Sequence, residues 1–191
     1  RAFFESVYRL SNRGLRYYLA SIPSPELETA VACTTGVDDY IEATVKHVPP
    51  FPDVRESLLL MHGKTDLMVV SATPVEALER EWGEHGLSEY MDVIAGQEMG
   101  TKGEHLDAAA KSKYADDHIL LIGDAPGDRD TAISRGVLYY PINPGHEAAS
   151  WKRFKEEAFD KFFNGTYAGA YQAMLIEEFN ALLPSTPPWK K

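Results

Sequence analysis

Two aspartates set four residues apart carry the strongest chemical signal in the chain. They close the stretch His118-Ile119-Leu120-Leu121-Ile122-Gly123-Asp124-Ala125-Pro126-Gly127-Asp128. The unbroken apolar run Ile119 to Ile122 predicts a strand buried on both faces, and a helical pattern begins soon after it. Asp124 and Asp128 then belong to the loop at the strand's carboxyl end, where open α/β sheets bind their ligands. Two carboxylates converging on one loop repel each other unless a cation lies between them, and hard oxygen ligands of this kind suit Mg²⁺. The plainer expectation is that such an Asp only caps the helix that follows. One acid is easily read that way; Gly-Asp-x-x-x-Asp after a buried strand is harder to reduce to a cap.

Two more positions have chemistry suited to an anion. Ser71 follows the apolar run Leu67-Met68-Val69-Val70 and precedes a helix start. Its hydroxyl, with the free N–H groups of Ala72 and Thr73, makes a phosphate-sized site helped by the helix dipole. The competing expectation is that Ser71 and Thr73 merely cap that helix. Lys102 lies in Met99-Gly100-Thr101-Lys102-Gly103, between glycines that let backbone approach a ligand. Its ammonium suits neutralisation of phosphate charge, although a lysine at a helix start is ordinarily solvated. His118 is expected at a strand edge. The other histidines are scattered, with neither zinc-ligand spacing nor a Ser-His-Asp arrangement.

The elements that must position these groups follow from periodicity. Residues 1–48 predict a small helical module. Phe3, Val7 and Leu10 share one helix face, Ser11 to Gly14 bend the chain, and Leu15 to Leu19 resume. Ile22-Pro23-Ser24-Pro25 is a break, with Ser24 placed to cap and Pro25 at a first helical position. Leu27, Ala30 and Val31 give a short helix, Thr34-Thr35-Gly36 breaks it, and Val37, Tyr40, Ile41 and Val45 continue. Pro49 to Pro52 form a stiff connector. Val54, Leu58 and Met61 then line a helix that Gly63 ends. The strand at 67–70 leads into a helix carrying Val75, Leu78 and Trp82, with Thr73 as its cap, and Gly86 closes it. Tyr90 to Ile94 predict a weaker strand, and Leu106, Ala109 and Ala110 a helix after Lys102. Ala132 and Ile133 lie on the helix after Asp128, stopped by Gly136, and Val137 to Tyr140 form another strand. Alternation of strand and helix over 53–141 argues an α/β fold with a parallel sheet and right-handed crossovers. After about 145 the pattern changes to two aromatic stripes, Trp151, Phe154, Ala158 and Phe162, then Tyr167, Tyr171, Met174, Leu175, Phe179 and Leu182. These read as packing surfaces, with self-association through them a further expectation. A Pro-rich tail follows from Pro184.

Composition narrows the function classes. The net charge of −10, with no long basic run, argues against nucleic acid or an anionic membrane as partner. A small phosphorylated molecule is not excluded, because a site's local charge can oppose the global sign. Cys33 is the single cysteine and cannot form an internal disulfide, which predicts a reducing, cytoplasmic location. No apolar run reaches about 18 residues, and no signal peptide is readable.

Read in order, Leu67-Met68-Val69-Val70-Ser71, then Lys102, then Ile119-Leu120-Leu121-Ile122-Gly123-Asp124 through Asp128 resemble the second, third and fourth motifs of the haloacid dehalogenase-like hydrolase superfamily. Pro50-Phe51-Pro52-Asp53-Val54, leading a helix into the second motif, fits as well. The resemblance implies a Rossmann-like α/β core at 49–145, a helical cap at 1–48 and a C-terminal helical extension at 146–191. It also implies roles. Ser71 and the Ala72 backbone would bind the transferring phosphoryl group, Lys102 would neutralise its charge, Asp124 would ligate Mg²⁺, and Asp128 would ligate it or orient its waters. Cap residues Arg9, Arg13, Arg16, Tyr17 and Tyr18 are candidates to contact an anionic substrate.

The family's first motif, an Asp-x-Asp that carries the nucleophile and the general acid/base, is absent from this sequence. Asp38-Asp39 has no apolar strand before it, and Asp66 precedes its strand rather than following it. In the family that first strand lies between those ending at Ser71 and Asp124. Without it, two buried strand edges would keep unpaired N–H and C=O groups, each costing about 1–3 kcal/mol. A preceding segment carrying the nucleophile, or one supplied by another chain, is therefore expected. The activity implied is a Mg²⁺-dependent phosphatase of a small phosphorylated metabolite, working through an aspartyl-phosphate. A phosphomutase and a non-catalytic binding or scaffold protein are the alternatives.

Overall fold

A computed structural model describes residues 12–183 and Lys190 and shows a mixed α/β chain. It divides into two compact units, Arg1–Val48 and Pro49–Lys191. The helix expected through Phe3, Val7 and Leu10, together with Arg9, lies outside the described residues, as does the side chain of Arg13. No helix among the described residues is long and apolar enough to cross a membrane.

The first unit pairs two helices, α1 (Asn12–Ser21) and α2 (Pro25–Thr44). Ser24 caps α2 as expected: its hydroxyl accepts from the Leu27 N–H at 3.2 Å, and Pro25 opens the helix. The break expected at Thr34-Thr35-Gly36 does not occur, and α2 runs through it. The threonines are satisfied within the helical frame. Thr34 donates to the Val31 carbonyl at 3.1 Å, and Thr35 accepts from Arg16 of α1 at 2.8 Å. One interior glycine costs only about 1 kcal/mol against alanine, which these contacts offset. Arg16, a candidate substrate contact, is thus engaged inside its own unit, and Tyr17 is exposed.

The second unit begins with α3 (Val54–Met61), whose Val54, Leu58 and Met61 are buried as the periodicity predicts. There follow β1 (Met68–Val70), α4 (Val75–Glu84), β2 (Val93–Ala95), α5 (Lys102–His105) with a π turn at Leu106–Ala110, β3 (Leu120–Gly123), α6 (Pro126–Arg135) and β4 (Leu138–Pro141). Glycine in the left-handed region at Gly136 (φ 70°) ends α6 where the sequence places a stop. The chain closes with α7 (Glu147–Arg153), a π turn at Phe154–Ala158, α8 (Phe159–Phe163) and α9 (Ala170–Leu182).

The strands form two separate parallel pairs rather than one sheet. Met68 to Val70 pair with Val93 to Ala95, and Leu120 to Gly123 pair with Leu138 to Pro141. The ladders turn alternate residues to opposite edges. Ser71 donates to the Ala95 carbonyl, and the Leu67 carbonyl accepts from Asp92, so Met68 and Val70 turn their backbone groups away from β2. Leu138 donates to the Ile119 carbonyl and Ile142 to the Gly123 carbonyl, so Leu120 and Ile122 turn theirs away from β4. Both β1 and β3 therefore keep one unpaired edge among the described residues.

The outer edge of β4 is closed instead by the C-terminal helices. The Tyr139 N–H donates to the Gln172 side chain at 2.9 Å, and the Tyr139 carbonyl accepts from the Tyr167 hydroxyl at 2.7 Å. This explains a correction to the strand burial. β3, expected to be buried on both faces, is only half-buried along its length, whereas every residue of β4 is buried. The C-terminal helices, expected as an extension, share the unit of the strands and fill its core. Phe154, Phe159, Tyr167 and Leu175 pack with Tyr140 and Leu138 on one face, and Phe179 packs with Tyr139 and Val137 on the other. The aromatic stripes thus point largely inward, as packing surfaces do. At roughly 1.5–3 kcal/mol for each large side chain fully buried, they are a main source of the unit's stability.

Candidate functional site

Asp128 is the third residue of α6 and is 2% exposed. Helix formation from Pro126 brings its carboxylate back over the loop that precedes the helix, where Oδ2 accepts from the Ala125 N–H at 3.2 Å. Gly123 makes room for it. A Cβ at that position would stand 2.4 Å from Asp128 Oδ2 and 2.6 Å from its Cβ. The cation that meets this carboxylate is an ammonium of the chain itself, since Lys102 donates to Asp128 Oδ1. Burial of an unpaired carboxylate would be costly, so this pairing is what allows Asp128 to sit where it does.

Lys102 is positioned by the start of α5. Thr101 forms a reciprocal cap with Glu104: the Thr101 hydroxyl accepts from the Glu104 N–H at 3.2 Å, and the Glu104 carboxylate accepts from the Thr101 N–H at 2.7 Å. Lys102 is then the first helical residue, with its direction set by the cap. The flanking glycines do not hold space for a ligand, as the sequence suggested. The Arg135 guanidinium lies against Gly103, and the His105 ring lies against Gly100.

Asp124 differs from Asp128 in each respect. It is exposed on the loop after β3 and makes no hydrogen bond or ion pair with any described residue. Beneath that loop the Tyr139 hydroxyl donates to the Gly123 carbonyl at 2.9 Å. Burial first, then the charges of Asp128 and Asp124, push the Tyr139 phenol far above its usual range, so it stays a donor. Sequence reasoning missed this brace; nothing local to Val137-Leu138-Tyr139-Tyr140 marks one strand tyrosine as the support of a loop on its neighbour.

Ser71 stands at the carboxyl end of β1. Its Oγ accepts from the Thr73 N–H at 3.1 Å, which leaves its own O–H free to donate. The three-part anion cradle expected here is reduced accordingly, because the Thr73 N–H is taken. The helix is not capped by Thr73 either. It begins at Val75, whose N–H donates to Glu98 Oε2 at 3.2 Å, so a carboxylate from the loop after β2 already sits at the amino end of α4. What remains for an anion is the Ser71 hydroxyl with the Ala72 N–H. Among the described residues no hydrogen bond or ion pair joins Ser71 to Lys102, Asp124 or Asp128. His118, expected at a strand edge, lies in an exposed 3₁₀ turn against Asp117.

The donor set suits a hard cation in part. Among the described residues no three His, Cys, Asp or Glu side chains group as a metal site. Asp124 supplies a free carboxylate and Asp128 an engaged one beside it in sequence. Mg²⁺ is commonly held by one or two carboxylates, keeping waters and substrate oxygens for the rest. Asp124 fits direct ligation and Asp128, with both oxygens hydrogen-bonded, fits orientation of bound water. No protein-family model, curated protein or solved structure matches the chain.

Proposed function

We propose that this chain carries the phosphate-binding and Mg²⁺-holding parts of a haloacid dehalogenase-like phosphohydrolase. Its nucleophilic aspartate would come on a strand that fills the space between β1 and β3. One observation carries the reading: the side chains of Lys102 and Asp128, 26 residues apart, meet at the carboxyl end of β3, whose edge away from β4 is unpaired. The pair satisfies the buried carboxylate, and it also anchors a cation at the strand end where a phosphoryl site needs one. The Ser71 hydroxyl and Ala72 N–H donate to the phosphoryl oxygens. Lys102, held by Asp128 on one side, presents the rest of its charge to the phosphate on the other. Asp124 would hold Mg²⁺, whose chemistry there would be charge neutralisation at the phosphoryl group. The substrate class is a small phosphorylated metabolite, matched to a site with few cations in an acidic protein.

The test is phosphate release from a panel of phosphomonoesters by the complete protein with Mg²⁺. Asp124→Asn is expected to lower turnover by at least about 10²-fold, the scale of losing one electrostatic group aimed at the transition state. Unchanged turnover in that variant would sink the metal role. No release from any ester, with Mg²⁺ still bound in a calorimetric titration, would favour a non-catalytic binding protein instead. Transfer of phosphate between two positions of one substrate would identify a phosphomutase.

A further inference from the structure

We propose that Arg135 is the positioning residue for Lys102. The proposal rests on the reading of Lys102 as the cation that meets the phosphate. Arg135 is the last residue of α6, and Asp128 lies two turns earlier on the same helix. From that end the Arg135 guanidinium reaches back across α5. Its Nε donates to both carboxylate oxygens of Asp107, at 3.0 Å each, on the π turn that continues α5. Its far end lies against Gly103, the residue after Lys102. A Cβ there would meet the guanidinium Nη2 at 2.6 Å and Cζ at 3.0 Å. The Lys111 ammonium donates to the Arg135 carbonyl, fastening the same junction from the other side.

The segment carrying Lys102 is therefore clasped to α6 at both ends, by Lys102 on Asp128 and by Asp107 on Arg135. Only the first clasp touches the site. The second fixes how α5 lies along α6, and so whether a flexible lysine side chain finds Asp128 or turns to water. Arginine suits this use better than lysine. A planar fork holds a carboxylate and packs on a bare glycine backbone at once, which a point charge does not. Gly103 follows from the same contact, and the anion-facing role expected for that glycine is replaced by a packing one.

The readout is the reactivity of the Lys102 amine toward acetic anhydride, followed by peptide mass spectrometry with Lys161 as internal reference. An ammonium held on a carboxylate acylates slowly. Asp128→Asn, which removes the carboxylate that holds and shields the amine, sets the upper limit of labelling, well above the wild type. Arg135→Gln is expected to raise Lys102 labelling several-fold relative to Lys161, and Arg135→Lys to restore part of the difference. Gly103→Ala keeps every charge and displaces the guanidinium, so it should give an intermediate rise even if Arg135→Gln folds poorly. Wild-type labelling of Lys102 in Arg135→Gln and Gly103→Ala would overturn the proposal, as would wild-type labelling in Asp128→Asn. Arg135 variants that move Lys102 in a protein that releases no phosphate would leave the positioning role standing and remove the phosphohydrolase reading instead.

Discussion

At the scale of single residues, Asp128 and Gly123 form one device. The carboxylate is buried because Lys102 and the Ala125 N–H satisfy it, and it fits because Gly123 has no side chain. Gly123→Ala puts a methyl group within 2.4 Å of Asp128 Oδ2, with strand backbone on one side and helix on the other. Overpacking of this kind costs about 1–3 kcal/mol, expected as a lower urea midpoint with unchanged slope. Asp128→Asn keeps the shape and removes the charge. Lys102 is about one-third exposed, so water takes over part of the pairing, and the expected loss is about 1–2 kcal/mol rather than the 3–5 of a fully buried pair. Equal midpoints for Asp128→Asn and the wild type would mean the pair does not form in solution. These residues were legible in the sequence as types and order: an Asp after a strand, a Lys between glycines, a Ser at a strand end. Their division of labour was not. Gly-Asp-x-x-x-Asp looks symmetrical on paper, yet helical geometry from Pro126 turns Asp128 inward and leaves Asp124 in water.

At the scale of elements, the joins between loops decide how the strand ends are held. Gly96 lets the loop after β2 touch the start of α4. A Cβ there would stand 2.4 Å from the Val75 nitrogen, a backbone atom that cannot swing aside. Gly96→Ala should therefore cost as much as Gly123→Ala or more, about 3 kcal/mol. It should also release the Val75 amide to fast hydrogen exchange, since the Glu98 cap depends on the same approach. A Val75 amide as protected as in the wild type would refute that coupling. The amino ends of the two strand pairs are joined by a different device. Asp66, just before β1, accepts from Lys113 and from the Tyr114 hydroxyl at 2.6 Å. The Lys113 and Tyr114 hydrogen bonds hold the Asp66 carboxyl below its usual range. A depressed folded value means the contribution is present above the ordinary carboxylate range and fades as pH falls through it. Asp66→Asn should therefore lower the melting midpoint slightly at neutral pH, where the contribution is fully present, and leave the acid end nearly unchanged, the effect being small because the cluster is exposed. Acid titration of the melting midpoint checks it. Three strands were legible from their apolar runs to within one residue, while the weaker one, expected from Tyr90, starts only at Val93 after a 3₁₀ turn at Ser88–Tyr90. The caps were not, because Glu98, Gln172 and Tyr167 come from 23 to 33 residues away in sequence from the groups they satisfy, and no local pattern announces them.

At the scale of the whole second unit, what governs behaviour is the contrast between its two kinds of strand edge. On β4 the outward groups of Tyr139 are closed by side chains, and the strand is buried. On β1 and β3 the outward groups of Met68, Val70, Leu120 and Ile122 have no such cover among the described residues, although the strands are apolar and half-buried. An unpaired edge of this composition is a template for another strand. The ladder parity makes a residue-level prediction. Amides of Val69, Leu121 and Gly123, which face partner strands, should be protected from hydrogen exchange, while those of Met68, Val70, Leu120 and Ile122 should exchange many times faster in this chain alone. In a complete protein that supplies a central strand, the second set should become as slow as the first, because exchange would then require opening of the whole sheet. Slow exchange at Leu120 and Ile122 in the chain alone would mean the edge is already covered, and the place proposed for the nucleophile-bearing strand would be gone. Fast exchange there in the complete protein would send that strand elsewhere and leave Lys102, Asp124 and Asp128 without the aspartate they are proposed to serve.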